Sequence, residues 1–221
     1  MTAADQTAPT RLDRRKLRTR RALVDAAVRL MASGRGERAT VQEITEEADI
    51  GFGSFYNHFE SKEQLFETAG QEVLERWGQL NDAATAGLED PAEVFATSLR
   101  ISGRLGSTHP DLARFLSQAG LAVLRSPDGL APRALRDIQV GQEAGRFLPI
   151  PPQVALAAVA GGLIELLRVS IEDPGSLGPD AVDDLARGAL RLLGLDADEA
   201  AAVVARPLPA YDGDSRLSAG G

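Results

Sequence analysis

The segment Thr40-Val41-Gln42-Glu43-Ile44-Thr45-Glu46-Glu47-Ala48-Asp49-Ile50-Gly51-Phe52-Gly53-Ser54-Phe55-Tyr56-Asn57-His58-Phe59-Glu60-Ser61-Lys62 reads as three helix starts in twenty-three residues. Thr40 to Glu43 is a capping box, which predicts a helix beginning at Thr40. Ile44 and Ala48 face inward, and Asp49-Ile50-Gly51 breaks the helix. A second short helix is predicted from about Phe52 to His58. Ser61-Lys62-Glu63-Gln64 is another capping box, opening a long helix through Leu65, Phe66, Val73, Leu74 and Trp77. Two short helices around a tight turn spell a helix-turn-helix. Ile44, Ala48, Ile50 and Phe55 supply its small core, with Ala48 small where the helices approach. Phe52, Ser54, Tyr56, Asn57 and His58 are left on the surface, as groove-sized groups able to contact bases and phosphates.

Outward from this segment the pattern stays helical, and the predicted fold class is all-α. Leu17 to Ser33 places Leu23, Val24, Ala27, Leu30 and Met31 on one face, with Gly34 as its stop. Asp90-Pro91 and Thr108-His109-Pro110 each start a helix. Ser126-Pro127-Asp128-Gly129 is a turn, and Arg133 to Glu143 is helical. Gln153 to Ser170 is a strongly apolar helix, and Asp180 to Leu193 carries an apolar stripe closed by Gly194. From Arg206 onward Pro, Gly, Ser and Asp dominate, which predicts a disordered tail over 206–221.

Composition narrows the function classes. The 221 residues include no Cys, which excludes disulfides, thiolate metal sites and cysteine nucleophiles. His58 and His109 are the only imidazoles, so no His-rich metal site or His relay fits, and neither metal nor cofactor is expected. The longest apolar run, Val154 to Ile164, is too short to span a bilayer, and Met1 to Thr10 is not a secretory signal; a cytoplasmic protein is expected. The net charge is −8, but residues 11–62 hold eleven Lys/Arg against eight Asp/Glu while 63–221 hold thirteen against twenty-three. Seven of the basic residues fall between Arg11 and Arg21. They read either as an arm reaching phosphates or as a solvated terminus. Gly51-Phe52-Gly53 is not a dinucleotide turn, since no strand precedes it. Asp180, Asp183 and Asp184 suit the start of a helix better than a metal.

Arg20 to Phe66 resembles the DNA-binding domain of the TetR family of transcriptional regulators. The resemblance is carried by Ala48 to Lys62, by Ala26-Ala27 with Leu30, and by Ala39-Thr40-Val41. It implies a flexible basic arm at 1–13, a three-helix DNA-binding domain with the helix-turn-helix at 14–62, and a helical effector-binding and dimerisation domain at 63–205. It further implies that Tyr56, His58, Lys62 and Thr40 contact the DNA backbone, and that Gln42, Gly53, Ser54 and Asn57 face bases. Gly51 stands where Ser often caps the second helix, and Phe52 where Lys is common; Phe52 touches a thymine methyl or packs locally.

The resemblance implies a ligand-responsive, sequence-specific DNA-binding regulator and not an enzyme: a repressor released from a palindromic double-stranded operator by a small hydrophobic effector. Repression or activation depends on where the operator lies. The alternative is a helical small-molecule-binding protein without specific DNA binding. Candidate pocket residues are Trp77, Leu80, Phe95, Leu99, Phe115, Leu121 and Phe147, with Arg104, His109, Gln118 and Arg125 as polar orienters. Trp77, Phe95 and Phe115 read equally well as plain core, and His109 as a helix cap. Ala157, Ala158, Gly161 and Gly162 let another helix approach closely. With Leu166 and with Leu185, Ala189 and Leu193 of the last helix, they form a candidate homodimer interface or a helix buried in the protomer.

Overall fold

The computed structural model describes residues 10–126 and 129–210. Among them all regular structure is helical, with ten α-helices, three short 3-10 segments and no strand. The parts of the expected arm before Thr10 and of the expected tail after Ala210, and the Pro127-Asp128 turn, lie outside the described residues. The chain divides into two compact units between Gly70 and Gln71, inside the long helix and eight residues beyond the expected boundary.

In the first unit, α1 spans Arg11–Ala32. Thr10 caps it, accepting from Asp13 N at 3.2 Å while the Asp13 carboxylate accepts from Thr10 N at 2.9 Å. This local box starts the helix six residues before the apolar stripe does. Arg11 to Asp13 therefore belong to a helix rather than to a flexible arm, and the basic run lies along its first turns. Leu23, Val24, Ala27 and Leu30 are buried against Ile44, Phe55, Phe59 and Leu65. Gly34, at φ +71, ends the helix in the left-handed conformation that glycine adopts freely.

α2 spans Val41–Glu47 under the Thr40 box: Thr40 Oγ1 accepts from Glu43 N at 3.2 Å, and Glu43 accepts from Thr40 N at 2.8 Å. The turn that follows rests on Asp49 at φ +53, with Ile50 N donating to Thr45 O at 3.0 Å. The next element, Phe52–Asn57, is a 3-10 helix. Its bonds close after three residues, Ser54 N to Gly51 O at 2.8 Å and His58 N to Phe55 O at 2.9 Å. Gly51 brings no capping side chain and Gly53 is a poor helix former, so nothing local favours the wider turn. α3, Lys62–Thr85, starts with Ser61 Oγ accepting from Gln64 N at 3.2 Å. The return bond lands one residue earlier than a capping box requires, on Glu60 N at 2.8 Å.

The second unit continues with α4 (Pro91–Gly103), α5 (Leu105–Thr108), α6 (Pro110–Ala119), α7 (Leu130–Glu143), α8 (Pro152–Glu172), α9 (Ala181–Leu192) and α10 (Ala197–Val204). α4 lies among α7, α8, α9 and α10. Its Phe95 meets Phe147 edge-on at 6.1 Å between ring centres. Gly141 of α7 makes room for that ring, since a Cβ there would sit 2.1 Å from Phe147. α10 is only eight residues long, too short for a periodicity to declare itself; its signal is the cap, Asp196 Oδ1 accepting from Glu199 N at 2.8 Å.

α8 corrects the length argument made from its eleven-residue apolar run. The helix has 21 residues, is long and apolar enough to cross a membrane by length and composition, and only 22% of its most apolar window is buried in the protomer. Leu156, Val159, Ala160 and Leu167 face the core, while Val154, Ala157 and Ala158 are exposed. Ala189 and Leu193 are not on any outer face, being 5% and 0% exposed. The apolar stripe of α9 is spent on α4 and α10, which removes both residues from the expected interface.

Candidate nucleic-acid interface and ligand cavity

The turn and the 3-10 helix hold a row of side chains at the surface of the first unit. Phe55 and Phe59 anchor the row inside, at 0% and 3% exposure, while Phe52 and Tyr56 stand out at 54% and 58%. The three rings Phe52, Tyr56 and Phe55 meet edge-on, at 6.1 and 5.2 Å, which braces the two exposed ones. Gln42, Gly53 and Asn57 are exposed, and Ser54 and His58 are half-buried. Gln42 Nε2 donates to Glu46 at 2.9 Å, along the exposed side of α2.

Cations border this row. The Arg20 guanidinium lies 4.9 Å above the Phe59 ring. Partial burial, with Lys16 and Arg20 nearby, holds the His58 imidazole below its ordinary range. Lys62 Nζ donates to Ala39 O at 3.1 Å, tying the start of α3 to the residue before the α2 cap. Thr40 Oγ1 donates to Glu43 at 2.9 Å. Lys62 and Thr40, two of the four residues expected to meet phosphates, thus also have partners inside the unit.

In the second unit a cavity of about 100 Å³ lies among α3, α4, α6, α7 and α8. Its wall is largely apolar: Leu74 of α3, Leu99 of α4, Leu116 of α6, and Leu156, Val159 and Leu167 of α8. Four polar lining residues come from α3 and α7, namely Asn81, Asp82, Arg133 and Asp137. Asp82, Arg133 and Asp137 are knitted together through Arg136: Arg133 Nε donates to Asp82 at 2.6 Å, and Arg136 Nη2 donates to Asp82 at 3.1 Å and to Asp137 at 2.9 Å.

Arg133 also grips Glu75 with two parallel bonds, at 2.9 and 3.0 Å. This guanidinium holds the Glu75 carboxyl at about 2, with Gln79 and Gly129 N–H adding to it and burial opposing. Glu75, with Asp82, in turn raises the Arg133 pKa against the effect of burial. Burial pushes the Asp137 carboxyl up, against the pull of Arg136. Gly78 lets this happen: it lies between Glu75 and Asp82 on one face of α3, and a Cβ there would stand 2.4 Å from Arg133 Nη1.

Of the eleven expected pocket residues, Phe95 and Leu99 line this cavity. Trp77 and Leu80 turn into the core, where Trp77 Nε1 donates to Ser102 Oγ at 3.2 Å and the indole faces His109 at 5.7 Å. Phe147 packs behind Phe95. Arg104 donates to Asp183 at 2.9 Å, beside Arg100, and His109 Nδ1 lies 3.0 Å from Thr108 Oγ1. Phe115 is half-buried away from the cavity, and Gln118, Leu121 and Arg125 are exposed. The polar lining was missed, though α7 carries a signal. Ala131, Ala134, Asp137, Ile138 and Gly141 share one helical face, which sets an acid in an inward stripe.

Comparisons with known proteins agree on one family. Residues 23–69 match the family described as bacterial regulatory proteins, tetR family, and residues 90–206 match a tetracyclin repressor-like C-terminal domain. The HTH-type transcriptional repressor KstR2 of Mycolicibacterium smegmatis is 40% identical over 73 residues, 31% of this chain and 36% of that one. The A-factor receptor protein of Streptomyces griseus is 28% identical over 169 residues, 73% of this chain and 58% of the receptor. The match thus spans about a third and somewhat over half of these two relatives' lengths. Among solved structures, RolR in complex with resorcinol superposes with a TM-score of 0.72 at 34% identity, covering 89% of this chain and 98% of RolR. Its ligand-free form gives 0.72 at 35%. With a C-terminal family match over half the chain and an N-terminal match within the first unit, this protein belongs to the TetR family of DNA-binding transcriptional regulators.

Proposed function

We propose that this protein is a homodimeric repressor that holds a palindromic operator in the cytoplasm and releases it when a small hydroxylated ring enters the cavity of the second unit. The observation that carries the effector class is the cavity itself: an apolar chamber of about 100 Å³ with two carboxylates and a guanidinium on its wall. An apolar space of this order suits a single ring. Asp82 and Asp137 offer acceptors, and Arg133 a donor, to ring hydroxyls. The likeness to RolR, solved with resorcinol, supports this class.

On the DNA side, Tyr56, His58, Lys62 and the N-terminus of α2 at Thr40 meet phosphates, while Gln42, Gly53, Ser54 and Asn57 face bases. Exposed Phe52 meets a thymine methyl. The basic turns of α1 add phosphate contact. Dimerisation uses α8, whose outer face is apolar and whose Gly161 has open space where a side chain would begin. Two reading elements on a two-fold axis then enter successive major grooves, about 34–36 Å apart. α3 starts beside the reading element and carries Leu74, Asn81 and Asp82 to the cavity, so it transmits the effector's preference for the released state.

Selection of bound sequences from a random duplex pool at physiological salt tests this reading, with Tyr56→Ala as the control. One palindromic site should be recovered, lost in the control and released by millimolar resorcinol. Binding without enrichment would favour a ligand-binding protein that no longer reads sequence, for which uncapped Gly51 is the supporting feature.

A further inference from the structure

Among the described residues, the cavity wall contains one buried side-chain polar atom that the protein leaves without a partner. Asn81 lines the cavity and is 3% exposed. Its Nδ2 donates to Trp77 O at 3.0 Å, one turn back along α3. That bond orients the amide, because turning it over would set two oxygens against each other. Oδ1 is then buried with no hydrogen-bond partner. Buried acceptors are almost always satisfied. Nothing in the helix calls for asparagine here: it is a weaker helix former than leucine, and the surrounding wall is largely apolar. The neighbouring acceptors are engaged, Asp82 by Arg133 and Arg136, Asp137 by Arg136, and Ser102 Oγ by Trp77.

We propose that Asn81 is the specificity-determining residue of the cavity, its Oδ1 accepting a hydrogen bond from a hydroxyl of the bound ring. This rests on the reading of the cavity as the effector site. A ring hydroxyl supplies the donor that the protein does not give Oδ1, whereas a ring without a donor leaves the oxygen bare. A site built to bond a ligand hydroxyl discriminates strongly against the analogue that lacks it, because its own polar atom is then stranded. Stranding one buried neutral acceptor corresponds to roughly ten- to hundredfold in affinity. Asn81 therefore selects hydroxylated rings over equally sized apolar ones, and the carboxylates nearby take up any further hydroxyl.

The test measures resorcinol and 1,3-difluorobenzene, a ring of similar shape without a donor, on the full-length protein by calorimetry or ligand-observed NMR. Wild type should prefer resorcinol. Asn81→Leu should weaken resorcinol at least tenfold and leave difluorobenzene unchanged or tighter, so that the preference collapses. Asn81→Ala, which removes the acceptor without adding volume, should move both ligands in the same directions, with circular dichroism melting confirming that both variants fold. Equal change for the two ligands, or no change for resorcinol, would overturn the role of Asn81 and leave the effector cavity standing. Failure of wild type to bind either ring would overturn the cavity reading and this inference with it.

Discussion

Asp49 is the residue on which the turn of the helix-turn-helix hangs. It is the sole non-glycine at positive φ among the described residues, and its left-handed backbone lets Ile50 N return to Thr45 O. A side chain in that region costs about 1–2 kcal/mol, less for Asp, and glycine there gives back under 1 kcal/mol through the unfolded chain. Asp49→Gly should therefore stabilise by up to about 1 kcal/mol, roughly 2–4 °C in melting temperature, while Asp49→Val should destabilise. Glu75 and Asp137 should show opposite acid behaviour. The Glu75 carboxyl is depressed to about 2, so the stability it contributes is complete above about 4.5 and is lost as pH falls toward 2. The Asp137 carboxyl is raised, so its burial withholds stability above its folded pKa and restores it as pH falls through that value. Melting curves against pH should show Glu75→Gln flattening the loss between pH 4.5 and 2. Asp137→Asn should remove a gain on milder acidification; a parallel response of both variants would contradict these environments. At this scale sequence reads well where partners are three residues apart. Thr40 and Glu43 form the predicted box, whereas Gln64 reaches back to Glu60, because the register of the return bond depends on how the preceding turn is laid down.

The elements divide by whether their determinants are local. The stripes of α1 and α9, the break at Asp49 and the starts at Thr40 and Asp90 follow from spacing and caps. The 3-10 form of Phe52–Asn57 does not, since a six-residue segment gives periodicity nothing to work on. α3 shows how one helix serves several neighbours: Trp77, Leu80 and Ala84 enter the core, while Leu74, Asn81 and Asp82 line the cavity. Gly78 tests this arrangement. Alanine is the better helix former by about 1 kcal/mol, yet its Cβ would displace the Arg133 guanidinium, the movable end of a long side chain. Gly78→Ala should therefore remain folded, with the Glu75 carboxyl returning toward its ordinary range and resorcinol binding weakened. NMR titration of Glu75 and calorimetry check both; an unmoved Glu75 pKa would show that Arg133 does not depend on the glycine.

At the scale of the whole molecule, the exposed apolar face of α8 is the feature a lone protomer leaves unpartnered. A Cβ at Gly161 would have nothing within 4 Å, so Gly161→Arg should fold as a protomer with little change in secondary structure. It should sediment as a monomer and lose operator affinity by a hundredfold or more, since two half-sites are then bound separately. A dimer that survives Gly161→Arg would place the interface elsewhere. The sequence by itself determined the all-helical class, the helix-turn-helix and the surface around Tyr56, because these rest on contacts within one or two turns and on a short, dense motif. Tertiary structure alone decided which residues bound the cavity and which face of α9 remains outside. Trp77 and Phe147 have the composition of pocket walls and lie in the core; Asp137 and Asn81 look like surface residues and face the cavity. An apolar stripe shows that a helix is buried, but burial against a neighbour and burial against an empty space have the same periodicity, and only the packing of five helices separates them.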